Sequence, residues 1–141
     1  MDAVKNLVEN MQMLSLNVRH YFQKRFAALE LDVTYEMVRV LLILSKQKYM
    51  NQQQIADVTF KNKASLTSLI DNLQKRGLVV RNEDSADRRN KIITLTAKGR
   101  ELVGVVQPIF DEMFDLLYKD VTAEELKVMN RVIAKMNRVI E

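Results

Sequence analysis

The sequence predicts a mainly α protein with one small β-hairpin, in the order α-α-α-α-β-β-α-α. Glycine and proline are scarce, with three Gly and one Pro among 141 residues. Average usage would be about 12% for the two together, and all-β folds need turn residues often. Apolar residues recur at steps of three and four along most of the chain, which is helical spacing. Two short β-branched runs, near 78–81 and 91–95, interrupt that spacing and predict the hairpin.

The first two helices are predicted from an apolar seam and a capping residue. Steps of 3, 4, 3, 4 and 3 are typical of a helix that packs on other helices. The second helix is predicted to begin after Thr34, whose hydroxyl suits an N-cap, and Glu36 lies in its first turn, where the helix dipole favours negative charge. The seam of the first helix consists of Val4, Leu7, Met11, Leu14, Val18 and Tyr21.

The third and fourth helices are short and closely spaced. Asn51 and Gln54 resemble a capping box that opens the third helix, with Ile55 and Val58 predicted to face inward. After the turn at 59–61 (Thr-Phe-Lys), a helix is predicted over 62–76. Gly77 suits the left-handed position that ends this helix. The fourth helix buries a stripe at i, i+3, i+4 and i+7, formed by Leu66, Leu69, Ile70 and Leu73.

The hairpin and the last two helices complete the predicted order. The two β-branched runs are separated by the polar stretch 82–90, so the hairpin is expected to project from the body. Thr96 can cap the next helix. A capping box formed by Thr122 and Glu125 opens the last helix.

Positive charge is concentrated in one part of the chain. The formal net charge is +4, from 22 basic and 18 acidic residues. Residues 60–100 hold ten basic and four acidic residues, a net +6, so the rest of the chain carries −2. A local basic segment of this kind is typical of nucleic-acid-binding surfaces.

Composition argues against an enzyme, a cofactor-binding protein and a metalloprotein. The chain has no cysteine and one histidine, so thiolate chemistry is excluded and the usual nitrogen and sulfur metal ligands are too few. The sequence contains no Ser–His–Asp spacing and no glycine-rich phosphate loop. We therefore predict no catalytic residues, no metal and no cofactor. No apolar run is long enough for a membrane span and the N-terminus does not resemble a signal peptide, so the cytoplasm is the expected location.

The third and fourth helices together form a helix-turn-helix pattern whose second helix has a polar outer face. Small residues on that face would let the helix backbone approach base edges, while lysines and the hairpin arginines would reach phosphates or a minor groove. The alternative is an ordinary solvated helix followed by a charged loop in which Asp84 and Asp87 balance the arginines. The predicted DNA-facing residues are Lys61, Asn62, Lys63, Ala64, Ser65, Thr67, Ser68, Asn72, Lys75, Arg81, Arg88, Arg89, Asn90 and Lys91.

Two segments resemble the MarR-type (multiple antibiotic resistance regulator) transcription factors. Residues 84–89 (DSADRR) with 92–99 (IITLTAKG) are similar to the wing signature of that family, and 69–79 (LIDNLQKRGLV) is similar to the end of its recognition helix. Ala86 stands where the family usually has an arginine. The resemblance implies a winged helix-turn-helix fold and an obligate homodimer formed through the N- and C-terminal helices. It also implies binding to a pseudo-palindromic DNA operator, commonly as a repressor of a nearby operon that a small ligand relieves.

The resemblance also implies a division of the chain and a place for the ligand. We expect one domain over 1–141, with a DNA-binding lobe at 32–100 and a helical dimerisation lobe from 1–31 and 101–141. A small aromatic or lipophilic effector would bind in the crevice between the dimerisation helices and the DNA-binding lobe. Alternatively, the histidine in this set is a surface or interface residue and the regulator has no ligand. The candidate ligand-binding residues are Arg19, His20, Tyr21, Phe22 and Tyr35.

A second function remains open at this point. A helical protein–protein adaptor could keep the winged fold without reading an operator. The eight methionines suit either core packing or an adaptable interface. An adaptor would dimerise and show no DNA selectivity, which separates it from a regulator.

Overall fold

The computed structural model describes residues 1–59 and 61–141. The predicted turn at 59–61 includes Phe60, which lies outside the described residues. The secondary structure elements, in chain order, are α1 (Asp2–Ala28), α2 (Tyr35–Lys46), β1 (Met50–Asn51), α3 (Gln52–Thr59), α4 (Lys63–Lys75), β2 (Val79–Glu83), β3 (Lys91–Leu95), α5 (Ala97–Tyr118) and α6 (Ala123–Ile140).

The chain divides into two compact units, residues 1–107 and residues 108–141. The core of the first unit is formed by apolar side chains of α2, α3, α4 and the small sheet, which bury nearly all of their surface. Removal of this apolar area from water is the main term that holds the unit together. The core residues are Met37, Val40, Leu41, Leu44, Met50, Ile55, Ala56, Leu66, Ile70, Leu73, Leu78, Val79 and Ile93.

The sheet is antiparallel, with the strand order β1-β3-β2. Val79 pairs with Leu95 at the base of the hairpin and Glu83 pairs with Lys91 near its end. The predicted order lacked β1, which pairs Met50 with Ile93. Two residues are too few to show the alternating pattern by which a strand is predicted, and tertiary pairing with β3 creates this one. Otherwise the predicted order of elements is confirmed.

Side-chain caps begin several helices where the sequence predicts them. The Thr34 hydroxyl accepts a hydrogen bond from the Met37 backbone N–H at 3.2 Å. The backbone N–H of Asn51 donates to Gln54 Oε1 at 2.9 Å, and the backbone N–H of Gln54 donates to Asn51 Oδ1 at 2.8 Å. The Thr96 hydroxyl accepts from the Gly99 N–H at 3.0 Å. These bonds satisfy donors that the first turn of each helix leaves unpaired.

The end of α4 has the geometry predicted from Gly77. Its φ is +70°, in the left-handed region that favours glycine. The Leu78 N–H donates to the Leu73 carbonyl and the Gly77 N–H donates to the Gln74 carbonyl, each at 3.0 Å. These two bonds form a Schellman motif, which ends α4 and directs the chain into β2.

One inward-facing residue of α3 was predicted wrongly. Val58 is 41% exposed, whereas Ile55, Ala56 and Thr59 are buried. At 100° per residue, Thr59 lies between Ile55 and Ala56 on the helical wheel and Val58 lies on the far side of Ile55. The buried Thr59 hydroxyl donates to the Ile55 carbonyl at 2.7 Å, so its polar group is satisfied within the helix.

The second unit contains the end of α5 and the whole of α6. The predicted capping box is present: the Thr122 hydroxyl accepts from the Glu125 N–H at 3.2 Å, and the Glu125 carboxylate accepts from the Thr122 N–H at 2.7 Å. No side chain of α6 is buried, and Val128, Met129 and Val132 expose between 37% and 46% of their surface. The apolar face of α6 is therefore uncovered in the single chain.

Helices long and apolar enough to cross a membrane do not occur in the part of the chain that the structure describes.

Candidate nucleic-acid interface

The outer face of α4 carries the small and basic residues predicted for DNA contact. Leu66, Ile70 and Leu73 are fully buried, so the opposite side of the helix faces solvent. The exposed residues include Ala64, which adds little bulk, and two serines whose hydroxyls have no described partner. This side of α4 is formed by Lys63, Ala64, Ser65, Ser68, Asn72 and Lys75.

Other predicted contact residues of α4 are engaged within the protein. The Asn62 side chain caps α4 by accepting from the Ser65 N–H at 2.8 Å. The Thr67 hydroxyl accepts from Gln52 Nε2 at 2.6 Å and donates to the Lys63 carbonyl at 2.8 Å. Of these bonds, the one between Gln52 and Thr67 joins α3 to α4 and so helps to hold the helix-turn-helix geometry.

The wing loop between β2 and β3 is folded by its two aspartates. Asp84 Oδ1 accepts from the Ala86 N–H at 3.0 Å, and Asp84 Oδ2 accepts from Asn90 Nδ2 at 3.2 Å. Asp87 Oδ1 accepts from the Arg89 backbone N–H at 3.0 Å. Short-range bonds of this kind are Asx turns, which hold a loop in one conformation. The aspartates therefore bind backbone and amide groups, whereas the alternative considered from the sequence had them balance the arginine side chains.

Arg81 connects the wing to α4. Its Nη2 lies 2.6 Å from Asp71 Oδ1 and its Nη1 lies 2.5 Å from Gln74 Oε1. The arginine is on β2 and both partners are on α4. The guanidinium thereby holds the strand that leads into the wing against the helix that would enter the groove.

These contacts engage the acidic side chains of residues 60–100 and leave several basic side chains without a described partner. All four acidic side chains of the segment are bonded within the protein: Asp71 to Arg81, Glu83 to Lys91, and Asp84 and Asp87 within the wing loop. Five cations have no hydrogen-bond or ion-pair partner among the described residues. These five, which we call the unpaired cations, are Lys61, Lys63, Lys75, Arg88 and Arg89.

A concave surface joins α3, the start of α4 and the wing. Its volume is about 280 Å³, and Lys63, Arg89 and Lys91 line it together with polar residues of α3. Lys91 also lies 3.1 Å from Glu83, so one of the three cations is neutralised locally. Clustered cations beside a concave surface suit a backbone phosphate.

The predicted DNA-facing residues thus fall into two groups. One group bonds within the protein, and for Asn72 the partner is Arg76, whose Nε lies 3.0 Å from Asn72 Oδ1. The other group has no described partner for its side chain. The first contains Asn62, Thr67, Asn72, Arg81, Asn90 and Lys91, and the second contains Lys61, Lys63, Ala64, Ser65, Ser68, Lys75, Arg88 and Arg89.

The candidate ligand-binding residues lie in and around an aromatic cluster between α1 and α2. The rings of Phe22 and Tyr35 stack, with centroids 5.3 Å apart and planes 15° from parallel. Arg19 pairs with Glu36 and lies over the Tyr35 ring, 5.6 Å from its centroid. Phe22 is fully buried, so its ring serves the packing of α1 on α2.

The two remaining candidates are on the same helix. The Tyr21 hydroxyl accepts from Arg25 Nη1 at 2.9 Å, and the Tyr21 ring meets Phe22 edge-on. His20 is exposed. The structure therefore brings Arg19, Phe22 and Tyr35 into contact, with Tyr21 beside them.

Three structurally important residues were not singled out by sequence reasoning. Gln52 joins α3 to α4, and Asp71 and Gln74 bind Arg81. Asp71 and Gln74 are exposed and Gln52 is half-buried, and a polar residue at such a helix position is the default. The sequence around Arg81 contains several carboxylates and amides that are possible partners, but it does not indicate which of them the arginine binds. Their contacts span 7, 10 and 15 residues and join different elements of the fold, so the sequence did not indicate them.

Fold and site together define a winged helix-turn-helix protein with a basic outer surface. The MarR family model matches residues 31–90, which contain α2 to the end of the wing loop. Among curated relatives, the transcriptional regulator HosA of Escherichia coli O127:H6 is 27% identical over 105 residues, covering 74% of this chain and 78% of HosA. The HTH-type transcriptional regulator SarZ of Staphylococcus epidermidis is 26% identical over 117 residues, covering 79% of this chain and 78% of SarZ.

Solved structures agree with this assignment over nearly the whole chain. MepR of S. aureus in a DNA-binding conformation matches with a TM-score of 0.84 and 27% identity, covering 96% of this chain and 98% of MepR. The MepR–DNA complex matches with a TM-score of 0.83 and 28% identity, covering 94% of this chain and 96% of that one. The chain is therefore similar to the MarR family model over residues 31–90 and to MepR over nearly its whole length.

Proposed function

We propose that the chain is a sequence-specific, DNA-binding transcriptional regulator that acts as a homodimer. The proposal depends mainly on which charged side chains of residues 60–100 have a partner within the protein. The four carboxylates of the segment are occupied inside the protein, while the unpaired cations stand on α4, on the turn before it and on the wing. Exposed, uncompensated cations are what counterion release from DNA requires.

Base reading is assigned to α4. Ala64, Ser65 and Ser68 are small and exposed, so the helix backbone can lie deep in a major groove with the two hydroxyls near base edges. Lys63 and Lys75, at opposite ends of α4, supply phosphate contacts on both sides of the groove. The solved MepR–DNA complex supports this use of the fold.

Minor-groove contact is assigned to the wing. The Asx turns fix the loop backbone, so Arg88 and Arg89 project from an ordered support and lose less conformational freedom on binding. With Ala86 at the neighbouring position, these two arginines are the wing's only cations between 84 and 90. A narrow minor groove attracts such side chains electrostatically.

Dimerisation is assigned to the terminal helices, with 1–31 and 101–141 as the dimerisation lobe and 32–100 as the DNA-binding lobe. The uncovered apolar side chains of α6 support this, and so do exposed apolar residues of α1 such as Val4, Val8 and Leu14. Two-fold symmetry then requires a pseudo-palindromic operator with half-sites about 10 bp apart. A protein–protein adaptor with this fold would not require the unpaired cations.

In its biological role the protein is a repressor of a nearby operon, relieved by a small aromatic or lipophilic ligand, as is typical of its family. The cluster around Tyr35 is the proposed ligand region, with Arg19 as its cation. The protein acts in the cytoplasm on chromosomal DNA, and it has no catalytic role, since MarR-family regulators are in general not enzymes.

Selection of genomic DNA fragments, followed by fluorescence anisotropy at two salt concentrations, tests the regulator. We expect one site class to bind far more tightly than random DNA, with an affinity that falls steeply as salt rises. Arg88→Ala and Arg89→Ala should each weaken binding. Lys119→Ala, which removes one positive charge from the turn before α6, is the matched control and should not.

Two results would overturn the proposal. One is the absence of any sequence-selective site, which would favour the adaptor. The other is a weak affinity that is the same for the wild type and both wing variants.

A further inference from the structure

Asn72 lies in a row of exposed polar residues on the outer face of α4. Ser65, Ser68 and Asn72 are spaced i, i+3 and i+7, which places them on one side of the helix, and all three are exposed. They line one concave surface of about 320 Å³ beside the start of α2. Glu36, which also lines this surface, is paired with Arg19. The amide of Asn72 is therefore presented on the same side of α4 as the two hydroxyls assigned to base edges.

Arg76 determines which atom of the Asn72 amide faces away from the protein. Its Nε donates to Asn72 Oδ1 at 3.0 Å. An arginine side chain has donors only, so the amide atom that faces it must be the acceptor oxygen. The Asn72 Nδ2 group, which carries two donors, has no hydrogen-bond partner among the described residues. Nδ2 is therefore the end of the amide that remains available to a molecule approaching α4.

Arg76 is itself held through both its side chain and its backbone. Its Nη1 donates to the Asp32 carbonyl and lies 3.4 Å from Asp32 Oδ2, in the segment between α1 and α2. Its carbonyl accepts from Lys98 Nζ, at the start of α5, at 2.9 Å. Because contacts with two other parts of the chain hold the half-buried arginine, the orientation that it imposes on Asn72 exists before DNA binds.

The free donors of Asn72 and the charge of Arg76 together favour guanine. In the major groove guanine presents two acceptors, N7 and O6, whereas adenine presents one acceptor beside an amino donor and cytosine presents an amino donor. Asparagine reads adenine when Oδ1 accepts from the amino group while Nδ2 donates to N7. The positively charged guanidinium at Oδ1 opposes the approach of an amino group, and it attracts the two electronegative atoms of guanine.

We propose that Asn72 is a specificity-determining residue, which donates from Nδ2 to a guanine in each half-site of the operator. Arg76 is a positioning residue, since it acts by holding the amide of Asn72 in the orientation that selects guanine. The proposal rests on the DNA-binding function proposed above and specifies one base that the same surface reads.

The test measures the affinity of the full-length protein for the selected operator and for variants with each base pair replaced in turn, by fluorescence anisotropy at one salt concentration. For the wild type, we expect guanine at one position of each half-site to bind about tenfold more tightly than adenine. Asn72→Ala should remove the preference at that position and leave the other positions unchanged. Arg76→Leu should reduce the preference for guanine over adenine there about fivefold, because Oδ1 can then accept from the adenine amino group.

Three further variants separate the orientation of the amide from other effects. Asn72→Asp keeps an acceptor for Arg76 but has no donor, so it should lose the preference for guanine, and it serves as the test if Arg76→Leu does not fold. Asp32→Ala leaves the bond between Arg76 and Asn72 in place and should keep the wild-type preference. Lys75→Ala removes a cation beside Arg76 in sequence and should weaken binding to all the operators by the same factor.

Three results would overturn the proposal while operator binding itself stands. They are base preferences that Asn72→Ala leaves unchanged at every position, a preference for a base other than guanine at the position that Asn72→Ala affects, and a preference for guanine that persists in Asn72→Asp or in folded Arg76→Leu. If the wild type selects no site at all, this proposal and the proposed function both fail, so the two failures are distinguishable.

Discussion

Arg81 of β2 lies 2.6 Å from Asp71 of α4, through Nη2 and Oδ1. The contact joins the two elements on which DNA reading depends, the wing and the helix beside it. The arginine side chain is 21% exposed and the aspartate side chain 51%, so the pair is partly screened by water. It positions the wing more than it stabilises the fold.

A double-mutant cycle at this pair measures that connection. We expect Arg81→Ala and Asp71→Ala to be non-additive in the free energy of unfolding, with a coupling of about 0.5–1 kcal/mol that falls as salt is added. Urea denaturation at two salt concentrations gives the values. Strict additivity would contradict the contact between Arg81 and Asp71.

Substitution of Asp87 tests whether its carboxylate is needed to hold the wing loop in one conformation. Both Asp87→Ala and Asp87→Asn remove one negative charge, so simple electrostatics predicts that they bind the operator equally well. We expect Asp87→Ala to bind about fivefold more weakly than Asp87→Asn, because only asparagine keeps an acceptor for the Arg89 N–H, a bond of about 1 kcal/mol. Anisotropy on the same operator measures the ratio, and equal affinities would remove the Asx turn from the account.

Gly99 and Gly104, both on α5, should respond oppositely to alanine. A Cβ at Gly99 would lie 2.2 Å from the Leu78 carbonyl oxygen, whereas a Cβ at Gly104 meets nothing within 4 Å. We expect Gly99→Ala to destabilise by about 1–3 kcal/mol through overpacking. Gly104→Ala should stabilise by up to about 1 kcal/mol, because alanine is the better helix former. Thermal unfolding of both variants checks the signs, and a neutral Gly99→Ala would contradict the close approach of Leu78.

The lowered pKa of Glu125 makes the stability of the protein depend on pH. Hydrogen bonds from the Thr122 backbone N–H, and then from its hydroxyl, hold the pKa of Glu125 below its usual value of 4.5. A carboxyl whose pKa is lowered by folding stabilises the protein above its unfolded pKa, and that stability is lost as pH falls through the folded pKa. Glu125→Gln keeps the capping box without this titration. Its melting temperature should therefore fall less steeply than that of the wild type below about pH 4.5, and identical profiles would contradict the assignment.

Helix starts and ends were predictable because their signals are local. Thr34, Asn51 with Gln54, Gly77 and Thr122 with Glu125 each act within about five residues, so their spacing along the chain is sufficient evidence. β1 was missed because its two residues become a strand only by pairing with β3. Val58 was placed wrongly because a short apolar run on an eight-residue helix leaves the centre of the buried face undetermined.

The binding surface was predictable in composition and less so in detail. Local charge and the helix-turn-helix pattern indicated which segment faces DNA. They did not indicate which polar residues would be engaged elsewhere, since Thr67 with Gln52 and Arg81 with Asp71 are contacts made by the tertiary fold. Residue type alone did not show which lysines and arginines have a partner, whereas the interatomic distances in the structure do.

Hydroxyl-radical footprinting of the selected operator tests the central claim, that α4 and the wing of each protomer read DNA together. We predict two protected half-sites about one helical turn apart, each flanked by a protected minor-groove segment. In the double variant Arg88→Ala/Arg89→Ala the flanking protection should disappear while the protection in the half-sites persists at higher protein concentration. Flanking protection that is unchanged in this variant, or a single protected region without two-fold symmetry, would contradict the account.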